Sequence, residues 1–337
     1  MVLPARAHQG PRAAACTQHG RTWEDRATDM ASFTNLLHCV TTGDDDVRYV
    51  ARLAAAMGAD LTLADVVEDI PPIARRVLPR SWNLPALVRA QKLAQLERSA
   101  ALARRSGASP KTVLLTGSPM RALVRETVRG GHDLLAVGAT PSGTVECVDA
   151  SATRLLRECP YPVLLVNSSR RRRRPRVLVA VDTAPWFAAG TDELAVKLFD
   201  IARGLAEKLE GELHVLHVWA PYGQRFLRGG VLADAEVQQY VLSTREEARQ
   251  ELERMIAPFR AHVAPAGVHL VQGDPRSVIA KFATRRRTDL LVMGTVARSG
   301  VAGRIVGNTA EAVVTRLPCS MLVVRPDPPT RSGRQRG

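Results

Sequence analysis

Short apolar runs alternate with longer amphipathic stretches along almost the whole chain. Asn35–Val40, Leu61–Val67, Thr112–Thr116, Asp133–Val137 and Pro162–Val166 read as strands. Between them lie helical stretches. One opens on Asp44-Asp45-Asp46, acidic residues that suit the positive end of a helix dipole, one covers about 85–106, and one starts at Pro119. The second half has strands at Val177–Val181, Glu212–Trp219, 267–271, Leu290–Met293 and Ser320–Val324. Its first helix puts Leu194, Leu198, Ile201, Ala202, Leu205 and Leu209 on one face, with Thr191 as cap, and another runs over about 234–260. Strands alternating with helices of this length predict right-handed crossovers and doubly wound parallel sheets.

The two halves are copies. Gly117 and Gly273, Asp133 and Asp289, and Gly138 and Gly294 are each 156 positions apart. The wording agrees too: HDLLAVGATPSG against TDLLVMGTVARSG, and GSPMRALV against GDPRSVIA. A constant offset over three landmarks makes this an internal repeat of one α/β unit. The copies occupy 34–167 and 176–326, joined by an Arg-rich linker, 168–175, whose Arg170–Arg174 run closes on Pro175. Residues 1–33 and 327–337 lack periodicity and read as disordered tails, with Met30 an alternative start.

The most informative stretch is Leu290–Ala312. A buried strand ends at Gly294, and a glycine-bearing loop then leads to Gly307, Asn308 and Thr309 at the start of a helix. Asn308 and Glu311 have the form of a capping box. Gly294, Gly300, Gly303 and Gly307 remove side chains that would hold phosphate oxygens away from backbone N–H groups, which is the chemistry of an anion cradle. A glycine-rich crossover that binds nothing is the plainer alternative. Asp182 stands at the carboxyl end of its strand, the edge where open α/β sheets hold ligands. The first copy has Thr41 at that position, Pro141 in the loop and Asp149-Ala150-Ser151 at the helix start, so its site reads as decayed.

The spacing Gly294-x2-Ala297-x9-Gly307-Asn308-Thr309 resembles the Gly-x2-Gly-x9-Gly-Ser/Thr nucleotide signature of the universal stress protein family, departing from it at Ala297 and Asn308. The Gly-Asn-Thr-Ala-Glu wording resembles the tandem-domain, E-type group of that family. The resemblance implies a Rossmann-like α/β fold with two tandem doubly wound parallel five-stranded sheets. It implies a pseudo-dimer paired through the last strands, Pro162–Val166 and Ser320–Val324, and a homodimer beyond that. It implies ATP, with Ala180, Val181, Asp182 and Val218 at the adenosine and Met293, Gly294, Ala297, Gly307, Asn308 and Thr309 at the phosphates. Arg298 and Ser299 are weaker additions, and Mg2+ would accompany the phosphates, since no carboxylate pair is placed to hold it. The function implied is that of a stress-response regulator gated by an adenine nucleotide. An apolar or lipid-like ligand, or scaffolding, is the alternative.

Composition narrows this further. The 337 residues suit two domains, and 45% hydrophobic with 4% aromatic content suits Ala/Val/Leu-packed parallel sheets. No apolar run reaches about 18 residues and the first 33 residues lack a hydrophobic signal region, so a cytoplasmic protein without membrane insertion is expected. Five cysteines without CxxC spacing read as reduced, buried thiols. His214 and His217, three apart on a strand, point to opposite faces and share no metal. Ala220–Leu232 reads as a surface loop or a mobile lid beside the ligand edge. The formal charge of +14 collects largely in the linker, in Arg285–Arg287 and in the tail, without interleaved aromatic residues, so nucleic-acid binding is not expected. GxGxxG after the first strand, a GxSxG elbow and a Walker lysine are all missing, so dedicated catalysis is not expected beyond weak ATP hydrolysis.

Overall fold

The structure is a computed structural model, and residues 33–40, 43–69, 83–146, 150–167, 172, 174–182, 191–223, 233–295, 307–316 and 319–326 are described. The first half runs β1 (Asn35–Cys39), α1 (Asp44–Met57), β2 (Asp60–Val67), α2 (Leu84–Arg105), β3 (Lys111–Thr116), α3 (Pro119–Arg129) and β4 (Leu134–Gly138). A small ribbon, β5 (Thr144–Val145) and β6 (Ala150–Ser151), precedes α4 (Ala152–Glu158) and β7 (Val163–Val166). The second half runs β8 (Arg176–Val181), α5 (Thr191–Lys208), β9 (Glu212–Trp219), α6 (Asp234–Ile256), β10 (Val263–Gln272), α7 (Pro275–Arg285), β11 (Leu290–Gly294), α8 (Asn308–Val314) and β12 (Ser320–Val324).

Each half is a parallel five-stranded sheet, and the two join edge to edge in the order β10-β9-β8-β11-β12-β7-β4-β1-β2-β3. The joint is the antiparallel pair β7–β12, with Met321, Leu322 and Val323 opposite Leu165, Leu164 and Val163. Every one of these side chains is buried. Ser320 Oγ accepts from Asn167 N–H at 3.2 Å and donates to Asn167 O at 3.3 Å, closing the end of the pair. Helices α1, α2, α5 and α6 pack into one apolar core and α3, α4, α7 and α8 into the other, one on each face of the sheet.

The three repeat landmarks are structural ties. Asp133 accepts from Thr34 N–H (2.7 Å) and Asn35 N–H (3.1 Å), and Asp289 accepts from Arg176 N–H (2.8 Å), so each anchors the start of the first strand in its half. Gly117 and Gly273 both have positive φ, 108° and 147°, and donate to the last carbonyls of β2 and β9, turning the chain from strand into helix. At Gly294 a side chain would meet Leu194 Cδ2 at 2.9 Å, so this glycine lets α5 lie close over the strand end.

Some local expectations are corrected. The Asn308/Glu311 capping box does not form: Gly307 is the N-cap, Asn308 is the first helical residue, and no side chain caps the helix. Glu311 instead accepts from Arg157 of the first half at 2.6 and 2.9 Å, a charge-assisted fork that outcompetes a local bond. Helix α6 stops at Ile256 and continues as a 3-10 turn over Ala257–His262, with Pro258 in its first turn. Strand β10 is longer than expected and shifts register between Val263 and Val268. Cys39, Cys159 and Cys319 are buried and in no disulfide among the described residues, and burial pushes the Cys159 thiol up.

Leu164 and Leu322 face each other across the joint, so Leu164→Ala and Leu322→Ala should each cost about 2–5 kcal/mol in urea unfolding. The double variant should depart from additivity by about 0.5–3 kcal/mol, and additive effects would show that the halves do not share a core there.

Candidate functional site

The carboxyl ends of β8, β9 and β11 converge with the start of α8 on one cleft, open to solvent, with a cavity volume of about 120 Å³. Its floor is apolar because parallel strands covered on both faces carry Val, Leu and Ala throughout. Ala180, Val181 and Val218 line it from the strand ends, with Met293 and Gly294 at the end of β11. Asp182 follows β8 and is exposed at the mouth; Gly307 and Thr309 form the wall where α8 begins. Asn308 lies beside them, exposed. Ala297, Arg298 and Ser299 lie outside the described residues. Eight of the twelve positions chosen from sequence thus line one cavity.

The rest of the lining was not chosen from sequence. Leu194, Ala195 and Leu198 come from α5, Leu216 from β9, Pro275 and Ile279 from α7, and Ala310 from α8. The signal was present in part, since Leu194 and Leu198 belong to the apolar face of α5 and Pro275 to the repeated GDPRSVIA segment. What was missing was that both helices reach past the strand ends. His217 lies beneath the cleft, its Nδ1 3.1 Å from Val181 O, and so fixes the end of β8 against β9. Among the described lining residues Asp182 is the one charged group. An open cleft with an apolar floor, one carboxylate and the open amides of a helix start has the chemistry to take a flat ring with a polar tail.

In the matching region of the first half the described backbone folds back on itself. After β4, Gly138 O accepts from Glu146 N–H at 3.0 Å, and Gly143 O accepts from Ala152 N–H at 2.8 Å. The β5–β6 ribbon carries the fully buried Val145 into the core, and Pro141 sits exposed at the turn. Thr41 and Asp149 lie outside the described residues. Of the connection Ala220–Leu232, Tyr222 is exposed and its carbonyl accepts from Tyr240 Oη at 3.2 Å, while 224–232 lie outside the described residues.

A second titratable cluster lies nearer the amino end of β9. His214 Nε2 is 3.4 Å from Glu212 Oε2, and His214 Nδ1 is 3.1 Å from His269 Nε2, with the two rings within 5° of parallel. Ionised Glu212 only accepts, so His214 donates from Nε2, and its Nδ1 then accepts from His269. Burial, then the charges of His214, Arg286 and Arg176, lower the His269 pKa to about 4. Burial lowers that of His214 as well, and the hydrogen bond from His214 lowers that of Glu212.

A doubly wound α/β unit, duplicated across one sheet with a cleft at the carboxyl edge of the second copy, defines the class. The chain belongs to the Universal stress protein family, whose profile matches residues 41–167 and 174–325. Universal stress protein E of Escherichia coli (strain K12) is 29% identical over 217 residues, covering 62% of this chain and 66% of that protein. The matched part is therefore just under two thirds of that relative's length. Universal stress protein E of Photorhabdus laumondii is 25% identical over 313 residues, covering 88% of this chain and 96% of that one. Among solved structures, a putative universal stress protein from Pseudomonas aeruginosa UCBPP-PA14 superposes with a TM-score of 0.64 at 21% identity, covering 89% of this chain and 95% of that one. A universal stress protein from Archaeoglobus fulgidus gives 0.58 at 17% identity, covering 88% and 98%. These two likenesses establish the fold alone.

A histidine with a depressed folded pKa stays neutral where the unfolded chain takes up a proton. Its contribution to stability is therefore complete above about pH 6.5 and is lost as pH falls from there towards 4. His269→Gln should flatten the fall of the urea midpoint over that window; an unchanged slope would place the titration elsewhere.

Proposed function

We propose that this chain is an adenine-nucleotide-binding stress-response regulator whose ligand site is the cleft of its second half. The observation that carries this reading is the convergence of Asp182, Gly294, Gly307 and Thr309 on one open cleft. The base lies over the apolar floor of Ala180, Val181 and Val218, and the Asp182 carboxylate accepts from the ribose hydroxyls or the adenine amino group. The phosphates run towards Gly307, Asn308 and Thr309, where first-turn amides lack intrahelical acceptors, and Mg2+ travels with them. Ala297, Arg298 and Ser299 complete the phosphate end. Nucleotide binding shifts the protein between states and is not itself the start of catalysis, since no nucleophile and base pair lines the described cleft. The protein acts in the cytoplasm, and the tandem chain dimerises again.

One observation favours a second reading. The described lining is mostly apolar and contains no basic side chain, and Leu194 fills the space over Gly294. An apolar or lipid-like ligand would use the same floor without needing the phosphate end. Native mass spectrometry of freshly purified protein separates the two, since a co-purified nucleotide mass supports the first and a lipid mass the second.

In isothermal titration, ATP or ADP should bind the native chain, and Gly307→Asp should weaken binding at least about 100-fold, roughly 2.7 kcal/mol, by setting a carboxylate beside the phosphates. Asp is a favoured N-cap at that position, so the variant should keep its fold. Asp182→Ala should cost about tenfold, one hydrogen bond to a charged acceptor. Equal affinity in native protein and Gly307→Asp would remove the nucleotide reading.

A further inference from the structure

The two faces of the sheet differ in charge. Helices α3, α4, α7 and α8 carry eight basic and three acidic residues, while α1, α2, α5 and α6 carry thirteen basic and fourteen acidic. The excess on the first face is ordered. On α3, Arg121, Arg125 and Arg129 recur every fourth residue, so they form an exposed ladder rising about 6 Å per step. Opposite them, across an open groove of about 550 Å³, Arg154 of α4 pairs with Glu158 at 2.8 Å. None of the three ladder arginines pairs with a carboxylate among the described residues.

The repeat places a second basic stripe on the same face. With the 156-residue offset, Arg125 and Arg129 correspond to Lys281 and Arg285 of α7, both exposed and both without a carboxylate partner among the described residues. Helix α3 packs over β2 and β3, and α7 over β9. Strands β2 and β9 are seven positions apart in the sheet, roughly 34 Å along it at the usual strand spacing, and the sheet's twist turns the two stripes relative to each other. The two basic helices are related by the pseudo-two-fold of the joined sheet, as the two strands of a duplex are related to each other. Val128 is the one large apolar side chain notably exposed on these four helices among the described residues, so the face suits a charged partner and not an acyl layer.

We propose that this face docks on the phosphate backbone of a nucleic-acid duplex, with α3 and α7 each meeting phosphates. Guanidinium groups grip phosphate oxygens in pairs, and a ladder spaced by the helix repeat follows a backbone without reading bases. The face offers no exposed aromatic platform on α3 or α7 for unstacked bases, which favours duplex over single strand. The charge in the linker and tails, prominent in the sequence, is not needed for this contact.

The test is fluorescence anisotropy of a short labelled DNA duplex with the full chain, between about 50 and 200 mM NaCl. Binding should weaken with salt, and R121Q/R125Q/R129Q should lower the log–log slope by about 2.7, close to one unit per lost phosphate contact. R276Q/K281Q/R285Q should lower it comparably. Glutamine keeps helix propensity, and circular dichroism checks that each variant folds. A variant with Arg170–Arg174 changed to Gln should keep the ladder's share of the slope. The proposal is overturned if native protein does not bind at low salt or if both helix variants bind like native protein. It is equally overturned if only the linker variant loses binding, or if phosphatidylserine vesicles are bound and duplex is not.

Discussion

The molecule depends on covering two apolar strand edges. Each half ends in a strand, β7 or β12, that is buried on both faces and carries a row of backbone donors and acceptors along its outer side. Alone, either edge would expose unpaired amides flanked by Val, Leu and Met, the usual starting point for uncontrolled strand addition. Pairing one with the other removes both edges at once and makes the two cores continuous. Leu164 and Val166 join Leu322 and Val324 in one core, and Val163 and Leu165 join Met321 and Val323 in the other. The linker separates the copies in sequence, yet no boundary runs through the hydrophobic interior.

The strands and the repeat were legible because parallel, doubly covered strands are written as unbroken apolar runs, and because the landmarks do a local job. Asp133 and Asp289 tie down the first strand of each half, and Gly117 and Gly273 take a backbone angle that other residues avoid. What could not be read is what depends on distant partners. Asn308 and Glu311 have the spacing of a local cap, but Arg157 lies 154 residues away and no window of sequence brings it near. The strand-end positions of the cleft were legible from spacing alone, whereas its apolar walls from α5 and α7 exist through packing. The charge pattern divides in the same way: the arginine run of the linker is conspicuous in the sequence, while the two stripes on α3 and α7 become one surface only when the halves join.

Duplication followed by divergence explains the asymmetry between the copies. In the first half the connection after β4 folds into a ribbon whose hydrogen bonds consume the strand-end carbonyl and whose Val145 is fully buried. Gly143 of that ribbon packs on the second half: a Cβ there would lie 2.6 Å from Val314 O, and its φ of 81° already favours glycine. The segment that corresponds to the cleft loop of the second half has become part of the joint.

Helix α8 is where the cleft and the joint meet. Within seven residues its first turn lines the cavity through Thr309 and Ala310, Glu311 holds Arg157 of α4, and Val314 backs Gly143 of the ribbon. A helix this short, held in three places within a close-packed core, cannot absorb a displacement at one end by bending. It either stays where the joint holds it, giving the cleft a wall built in part by the other half, or it moves and carries the Arg157 fork with it. In both cases the first half sets the position of a wall of the cleft in the second half.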